Sequence, residues 1–264
     1  MTQDAPRRAP YDAPLDAPRD PRRARVILGA TCSVDAMGTL QIAVQIARRR
    51  GADLHGLLVA DDAILATASG PRACVIGFSG GRIAQITADR MLQAFRADAR
   101  RFEEGLLRAA QAASLHAAFR QAQGRLVTAL DEGAGAGDLL VYGFARPQGG
   151  ADCVVLLSDG AAPAADLLDL STQLAATLGR PLVVLAPPAR RAALHAALAP
   201  HDPVIVPVAD TAALLAQLER RRPAAVIAAA PRAALPPVGR LLESARCPVI
   251  FAADPGPSAP VPPA

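Results

Sequence analysis

The sequence predicts an α/β protein made of two doubly wound parallel sheets in tandem. Residues 26–59 contain an apolar run, a stretch with apolar residues at helical spacing and a second apolar run, which together are typical of a βαβ unit. Shifting the sequence by 128 residues without a gap places Val154 over Val26 and Gly179 over Gly51. Because the pattern occurs twice, the chain of 264 residues is predicted to hold two copies of one module.

The first unit begins with a short apolar run at residues 26–30, as expected of a strand that is covered on both faces. The helix that follows is predicted to end at Gly51, since a left-handed glycine commonly terminates a helix. The second strand ends at Asp61 and Asp62. This pair of carboxylates could hold a metal ion or a ribose, although acidic residues also commonly end a strand where it meets solvent.

A connection of unusual length follows at residues 63–86, which favours a lid, a partner surface or a mobile loop. Within it, Ser79-Gly80-Gly81 follows an apolar run and is similar to the loop with which ATP pyrophosphatases hold pyrophosphate. That loop normally follows the first strand of its fold and continues with Asp-Ser, where this chain has Arg82-Ile83. A Gly-rich turn that leads into a helix is the alternative interpretation.

A long helix dominates the rest of the first module. Apolar residues spaced by threes and fours predict it over residues 87–114, a length of roughly 40 Å. A small sheet covers only part of such a helix, so its apolar stripe is expected to pack partly on the other module or on a second chain. The residues of the stripe are Leu92, Phe95, Phe102 and Leu106. Next come a predicted weak strand at 116–120, a short helix at 125–132, a strand at 138–143 and a linker at 144–150 that replaces the last helix and strand.

The second module repeats this plan in a more compact form. Its predicted strands are residues 154–157, 182–186, 204–208, 225–229 and 249–252, and its predicted helices are 164–178, 190–199, 211–221 and 238–245. We therefore place the first module at 25–150 and the second at 151–253. The tails at 1–24 and 254–264 are predicted to be disordered, because their compositions bury too little apolar surface to offset the ordering entropy.

The composition narrows the range of functions. All 28 basic side chains are arginine, the formal net charge is +4, and only 3% of the residues are aromatic. Few aromatic rings are available for base stacking, which argues against nucleic-acid binding. The four cysteines form no CxxC pair and stand in or beside apolar runs, as thiols of a reducing compartment do. No apolar run approaches the roughly 18 residues of a membrane span, so a cytoplasmic protein without a membrane partner is expected.

Three segments of the chain resemble the universal stress proteins, in the tandem form in which two copies share one chain. The segment at 26–59 is similar to that family's first strand and helix, Asp138-Leu-Leu-Val-Tyr-Gly143 to its fourth strand, and Ala245-Arg-Cys-Pro-Val-Ile-Phe251 to its closing strand. The resemblance covers nearly all of residues 25–253. It implies a Rossmann-like five-stranded parallel sheet of order 3-2-1-4-5 in each module and frequent dimerisation. In the members that bind ATP, it also implies a nucleotide cleft between strands one and four.

The chain departs from that family at the nucleotide motif. Nucleotide-binding members carry an Asp after the first strand, where this chain has Thr31 in the first copy and Asp159 in the second. They also carry G-x2-G-x9-G-[S/T] after the fourth strand. The first copy begins with Gly143 but has Arg146 in place of the second glycine, and residues 229–232 of the second copy contain no glycine. Because glycines let backbone amides approach a phosphate closely, the motif is interpreted as degenerate in both copies.

The resemblance and its departures together predict a stress-response or regulatory protein without catalytic activity. Such a protein would act through contacts with a protein partner or with a second copy of itself, and it would need no cofactor. His55, His116, His195 and His201 form no HxxH or HxxxH pair, and no G-x-S-x-G motif is present. The sequence therefore predicts neither a catalytic residue nor a metal ligand.

An alternative function uses what remains of the nucleotide cleft. In that case the chain would be a switch that binds ATP or AMP with magnesium, or a weak ATPase, built on the first module. Arg146 could meet an anion with its guanidinium, and glycine amides could supply further donors. The binding residues would be Thr31, Ser33, Gly143, Arg146, Gly149 and Gly150.

Overall fold

The computed structural model describes residues 24–68, 74–76, 82–85, 88–145 and 150–253. The predicted tails therefore lie outside the described residues, apart from Ala24. The elements of the N-terminal half are β1 Arg25–Ala30, α1 Ser33–Arg50, β2 Asp53–Ala60, α2 Asp62–Ala68, β3 Cys74–Ile76, β4 Arg82–Gln85, α3 Ala88–Ala112, β5 Ala117–Gln123, α4 Leu126–Gly133 and β6 Leu139–Tyr142. Those of the C-terminal half are β7 Val154–Leu157, α5 Ala165–Leu178, β8 Leu182–Ala186, α6 Arg191–Leu198, β9 Val204–Pro207, α7 Thr211–Arg221, β10 Ala225–Ala228, α8 Val238–Ala245 and β11 Val249–Ala252.

A sheet of nine strands organises the fold, in the order β5-β2-β1-β6-β11-β10-β7-β8-β9. Every neighbouring pair is parallel except β6 and β11. The predicted α/β architecture with mostly parallel strands is confirmed, and β1 and β7 each lie between two strands as expected. The two predicted sheets are joined, however, into a single sheet.

The junction follows from a missing strand in the N-terminal half. That half has the order 3-2-1-4, whereas the C-terminal half has the full order 3-2-1-4-5. Residues 143–153 connect β6 directly to β7 and contain no helix or strand among their described residues. The open edge of β6 is instead paired with β11, with Tyr142 opposite Val249 and Leu139 opposite Ala252. An unpaired strand edge inside a protein leaves backbone groups without partners, and β11 supplies those partners to β6.

Two glycines end corresponding helices in the two halves. Gly51 after α1 has φ 59° and Gly179 after α5 has φ 60°, so both adopt the left-handed conformation that was predicted for Gly51. The amide of each donates to carbonyls of the preceding turn. Gly51 and Gly179, which the shift of the sequence superimposes, therefore both end a helix in the same conformation.

The core has one layer on each face of the sheet. Helices α1, α3, α5 and α6 cover one face, and α4, α7 and α8 cover the other. The stripe of α3 is only partly buried in the first layer: Phe102 and Leu106 are fully buried, whereas Leu92 and Phe95 are partly exposed. The main packing partners of α3 among the described residues are α1, α2, β2 and β5, all in the N-terminal half.

The long connection after β2 contains more regular structure than the sequence predicts. It includes the short helix α2 and an antiparallel pair formed by β3 and β4. The segment Ser79-Gly80-Gly81, which was considered as a phosphate loop, lies outside the described residues.

Candidate functional site

A doubly wound sheet binds a ligand at the carboxyl ends of its strands, where the strand order reverses. This sheet has two such positions, which are called the first and the second cleft. The first lies between β1 and β6, and the second between β7 and β10. Thr31 and Ser33 follow β1, and Gly143 follows β6. A Cβ atom on Gly143 would lie 3.1 Å from Cβ of Ala30 and 3.2 Å from the carbonyl oxygen of Asp35. The structure therefore brings these three predicted site residues to the same end of the sheet.

The other predicted residues of this cleft are less informative. Gly150 is exposed, and a Cβ atom there would meet no other atom within 4 Å. Arg146 and Gly149 lie outside the described residues. The geometry of the first cleft therefore depends on the residues that directly follow β1 and β6.

The loop that follows β6 is fastened to the protein by its own backbone. The amides of residues 143, 144 and 145 donate in turn to the carbonyl of Gly29 at 2.7 Å, to Thr39 Oγ1 at 3.0 Å and to Asp35 Oδ1 at 2.7 Å. The Thr39 hydroxyl also donates to the carbonyl of Phe144 at 3.4 Å. The amides of the three described residues that directly follow β6 are thus occupied by internal acceptors.

Gly38 of α1 allows the loop to approach the helix this closely. A Cβ atom at Gly38 would lie 3.0 Å from Cα of Ala145. Thr39, the next residue, is fully buried, although its side chain is polar. Together with Gly143, these residues give a close contact between helix and loop, so glycine here serves packing within the chain.

Two carboxylates lie at the N-terminal end of α1. Asp98 of α3 accepts a hydrogen bond from the amide of Ser33 at 3.1 Å, and Asp35 stands in the first turn of the helix. The N-terminus of a helix favours a negative charge. In this chain that negative charge is supplied by Asp98 and Asp35.

Cys32 is the N-cap residue of α1 and belongs to the same group of contacts. Its sulfur accepts from the amide of Asp35 at 3.5 Å, and its thiol donates to Asp35 Oδ2 at 3.3 Å. Burial raises the pKa of the Cys32 thiol above its ordinary value, and the neighbouring Asp35 carboxylate raises it further. The thiol is therefore held protonated as a hydrogen-bond donor and is a poor nucleophile.

The second cleft is closed by a different set of contacts. Ser158 Oγ accepts from the amide of Gly160 at 3.0 Å and donates to the carbonyl of Ala161 at 3.1 Å. Asp159 Oδ1 accepts from the amide of Ala161 at 2.9 Å. Gly160 has φ 96°, and a Cβ atom there would lie 2.6 Å from Cβ of Arg190. Both polar side chains after β7 therefore close their own turn.

The segment after β10 also has its amides occupied. The amides of Ala229 and Ala230 both donate to the carbonyl of Leu157, at 2.9 and 3.2 Å. Helix α5, which follows β7 in the chain, begins at Ala164 without a side-chain cap. The described amides after β7 and β10 are thus bonded internally, whereas the first turn of α5 has no side-chain cap.

The contacts of Arg232 were not predicted from the sequence, where residues 229–232 were noted only because they contain no glycine. Its guanidinium forms an ion pair with Asp131 of α4 and donates to the Tyr142 hydroxyl. It also stacks over the Phe251 ring, 4.9 Å from the centroid. Because Tyr142 belongs to β6 and Phe251 to β11, Arg232 joins the two halves across their antiparallel pair.

Tyr142 is buried beside this arginine. Burial raises the pKa of the Tyr142 hydroxyl to about 12, although the nearby Arg232 charge lowers it. The phenol therefore remains protonated at neutral pH. Its ring packs edge-on against Phe251, with centroids 5.7 Å apart. This contact fixes the junction between the halves.

The acidic pair after β2 has local partners. Asp61 Oδ1 accepts from the amide of Ala63 at 2.8 Å, and Asp62 Oδ1 accepts from Gln123 Nε2 at 2.9 Å. These contacts match the alternative in which the pair ends a strand. Over the described ranges, no three His, Cys, Asp or Glu side chains lie close enough together to hold a metal ion.

No helix among the described residues combines the length and hydropathy that a membrane span requires.

A shallow groove lies at the opposite end of the sheet from both clefts. It has a volume of about 610 Å³ and lies at the amino ends of β7, β8 and β9, beside the last turns of α7. Its floor is apolar and its rim carries arginine. The lining residues include Cys153, Val183, Val204, Gln217, Arg220 and Arg221.

Comparison with known proteins gives structural similarity only. No protein family is matched by the chain, and no curated protein matches it significantly. Among solved structures, a universal stress protein from Archaeoglobus fulgidus aligns with a TM-score of 0.49 and 13% identity, over 88% of this chain and 97% of its own. MurG from Acinetobacter baumannii aligns with a TM-score of 0.19 and 15% identity, over 78% of this chain and 72% of its own.

Proposed function

We propose that the chain is a tandem protein of the universal stress type, a stress-response or regulatory protein that acts in the cytoplasm through protein contacts. In this proposal it catalyses no reaction and holds no nucleotide. The observation that carries the proposal is the bonding of residues 143–145, whose three amides all donate to acceptors on β1 and α1.

The strength of these contacts supports the proposal. Neutral hydrogen bonds contribute about 0.5–1.5 kcal/mol each and those to charged groups about 1.5–3, so the two neutral bonds to Gly29 and Thr39 and the charged bond to Asp35 hold the loop by roughly 2.5–6 kcal/mol. Each 1.4 kcal/mol corresponds to about a tenfold change in affinity. Opening the cleft would therefore weaken a micromolar nucleotide site to about 0.1 mM or beyond.

Electrostatics acts in the same direction. A triphosphate that entered at the N-terminus of α1 would meet the carboxylates of Asp35 and Asp98. Two like charges at 4 Å repel by about 1 kcal/mol in water and by about 4 kcal/mol at the effective dielectric constant near a protein surface. The site therefore favours its internal carboxylates over a phosphate.

Isothermal titration with ATP, ADP and AMP in the presence of magnesium tests the proposal. We expect dissociation constants no tighter than about 0.1 mM for the full chain. Asp35→Ala removes one carboxylate and frees the amide of Ala145, so this variant should bind ATP more tightly than the parent chain. The matched control is Asp159→Ala in the second cleft, which should leave binding unchanged because Asp159 only closes its own turn.

A micromolar constant for the parent chain would contradict the proposal. If Arg146→Ala then abolished that binding, the alternative of an ATP- or AMP-dependent switch, or a weak ATPase, would take its place. Phosphate release measured in the same samples would separate the switch from the ATPase.

A further inference from the structure

The two outer edges of the nine-stranded sheet, β5 and β9, are built differently. In β9, the amide of Val208 donates to the carbonyl of Ala186 in β8 at 2.9 Å. Because the direction of backbone groups alternates along a strand, the residues of odd number from 203 to 207 turn theirs away from β8. Two of these three outward positions are proline, at Pro203 and Pro207. Proline has no amide hydrogen, so this edge cannot form a regular ladder with another strand.

The edge at β5 has no such protection. The carbonyl of His116 accepts from the amide of Leu54 at 2.9 Å, and the amide of Gly124 donates to the carbonyl of Ala60 at 3.0 Å. Residues of even number therefore face β2, and the outward positions are those of odd number from 117 to 123. None of these four is proline. No other described strand pairs with this edge.

The composition of β5 also suits pairing. Natural sheets protect exposed edges by short strands, charges or proline. β9 has four residues, whereas β5 has seven, with Arg120 as its one charged residue. The contrast indicates that β9 is built to stay unpaired and that β5 is covered in the assembled protein.

The flank of α3 beside this edge is partly apolar. Gly105 of α3 adjoins Met37 of α1, and Leu106 packs on Gly56 of β2. Since each residue turns a helix by about 100°, Leu107 points away from α1, towards the edge of the sheet. Its side chain is 47% exposed. The exposed side chain of Leu107 and the outer edge of β5 thus lie on the same side of the molecule.

We propose that β5 is the contact surface for a second copy of this chain. In the dimer, the two β5 strands pair antiparallel about a two-fold axis perpendicular to the sheet, and the two sheets become one of twice nine strands. The α3 helices then lie side by side on one face, where Leu107 of each copy covers the other helix. This inference is independent of the proposed function, because neither cleft takes part in it.

A second copy fits this edge better than an unrelated strand. A two-fold axis brings the same outward amides and carbonyls together, so each position supplies a donor and an acceptor to the other copy. The flank of α3 near Leu107 carries both signs of charge, on Arg100 and Glu103. Antiparallel helices that carry both signs can place unlike charges opposite each other, which makes the flank complementary to itself.

Arg120 determines the register of the pair. A pair centred on Arg120 would place two guanidinium groups directly opposite each other, which is unfavourable. Centring the pair on Gln121 instead places Arg120 opposite Ala122 of the second copy and leaves the central amides of Gln121 to bond each other's carbonyls. We therefore place the two-fold axis at Gln121.

Sedimentation of the full chain tests the proposal. A chain of 27.1 kDa should sediment as a dimer of twice that mass at concentrations of about 10–100 µM, since specific interfaces commonly reach micromolar affinity or better. Gln121→Pro removes the central outward amide without removing a bond to β2 and should yield the monomer. Gln121→Ala keeps that amide and is the matched control, so it should leave the dimer intact.

Leu107→Glu is a second variant for the case that a proline in β5 prevents folding. It lies on the surface of α3, outside the ladder, and should weaken association by about tenfold or more, the equivalent of 1.4 kcal/mol. Circular dichroism confirms that each variant is folded. A monomeric parent chain at about 100 µM, or a dimer that survives Leu107→Glu and any folded Gln121→Pro protein, would overturn the proposal.

Discussion

The two halves of the molecule share a strand order but close their clefts and cover their outer strands in different ways. In the N-terminal half, the loop after β6 is fastened to α1 by Thr39 and Asp35, and the cover helix α3 has 25 residues. In the C-terminal half, the turn after β7 closes on itself through Ser158 and Asp159, and the corresponding helix α6 has eight residues. The two halves share a strand order but differ in the contacts at their clefts. Those contacts are therefore determined by the polar residues on the surrounding helices and turns more than by the strand order.

The largest expected difference lies in the cover helices. Phe102 of α3 is fully buried and packs edge-on against Phe119, with centroids 5.5 Å apart. Phe102→Asp places an unpaired carboxylate in the core and should lower the free energy of unfolding by more than about 4 kcal/mol. Leu194→Asp should lower the free energy of unfolding by less, because α6 has eight residues and covers less of the sheet than α3 with its 25. Urea titration of both variants measures the difference.

Leu107→Asp on the exposed side of α3 is the control for this pair. It should change the free energy of unfolding of the monomer by less than about 0.5 kcal/mol. Equal losses for Phe102→Asp and Leu107→Asp would show that the core does not depend on the stripe of α3.

The junction between the halves should lose stability at high pH. The pKa of Tyr142 is raised by burial from 10.0 to about 12 in the folded protein. A group that holds its proton more tightly when folded contributes stability below its unfolded pKa and loses it as the pH rises through the folded value. Stability should therefore fall between about pH 10 and pH 12, by up to about 1.4 kcal/mol per pH unit.

Tyr142→Phe removes this titration and is the control for it. The variant should lose about 1–2 kcal/mol at neutral pH, since Arg232 is left without its phenol partner. The fall that remains above pH 10 should be smaller than in the parent chain. An identical pH profile in thermal melts of the two proteins would contradict the assignment to Tyr142.

The first cleft should be more sensitive than the second to the loss of one carboxylate. Asp35→Ala removes the acceptor of the amide of Ala145 and should cost about 1.5–3 kcal/mol of folding free energy. Asp159→Ala removes an exposed contact within a turn and should cost less than about 1 kcal/mol. Chemical denaturation of the two variants compares the clefts directly, and equal losses would mean that the loop after β6 is held mainly by Thr39.

Much of the fold could be predicted because it depends on local patterns. The strands at 154–157 and 182–186 have their predicted bounds, since each is an apolar run between polar or turn residues. The pairing of β6 with β11 could not be predicted, because it depends on which strand edges remain free after folding. Nothing in the sequence near Tyr142 or Val249 indicates that they lie opposite each other.

The contents of the first cleft were only partly predictable. Thr31, Ser33 and Gly143 were named because they occupy motif positions, and they do lie together at the end of the sheet. The residues that fasten the loop after β6, Thr39 and Asp35, match no motif. One signal was available for Thr39, since a polar residue next to Leu40 in the apolar stripe of a helix needs a hydrogen-bond partner when it is buried.

The smallest expected effect is at the two glycines that the shift of 128 residues superimposes, and it tests whether the two halves are equivalent there. Gly51 and Gly179 have φ values of 59° and 60°, and a Cβ atom at either would meet nothing within 4 Å. Replacing each by alanine should therefore cost only the strain of a left-handed residue, about 1–2 kcal/mol. The two losses should be equal within a few tenths of a kcal/mol. The double variant should depart from their sum only as far as the contacts of Arg49 with Gln173 and Thr177 couple the two helix ends. Thermal melts of the two single variants and the double variant measure this, and clearly unequal losses would mean that the cap after one helix is held by contacts that the other half lacks.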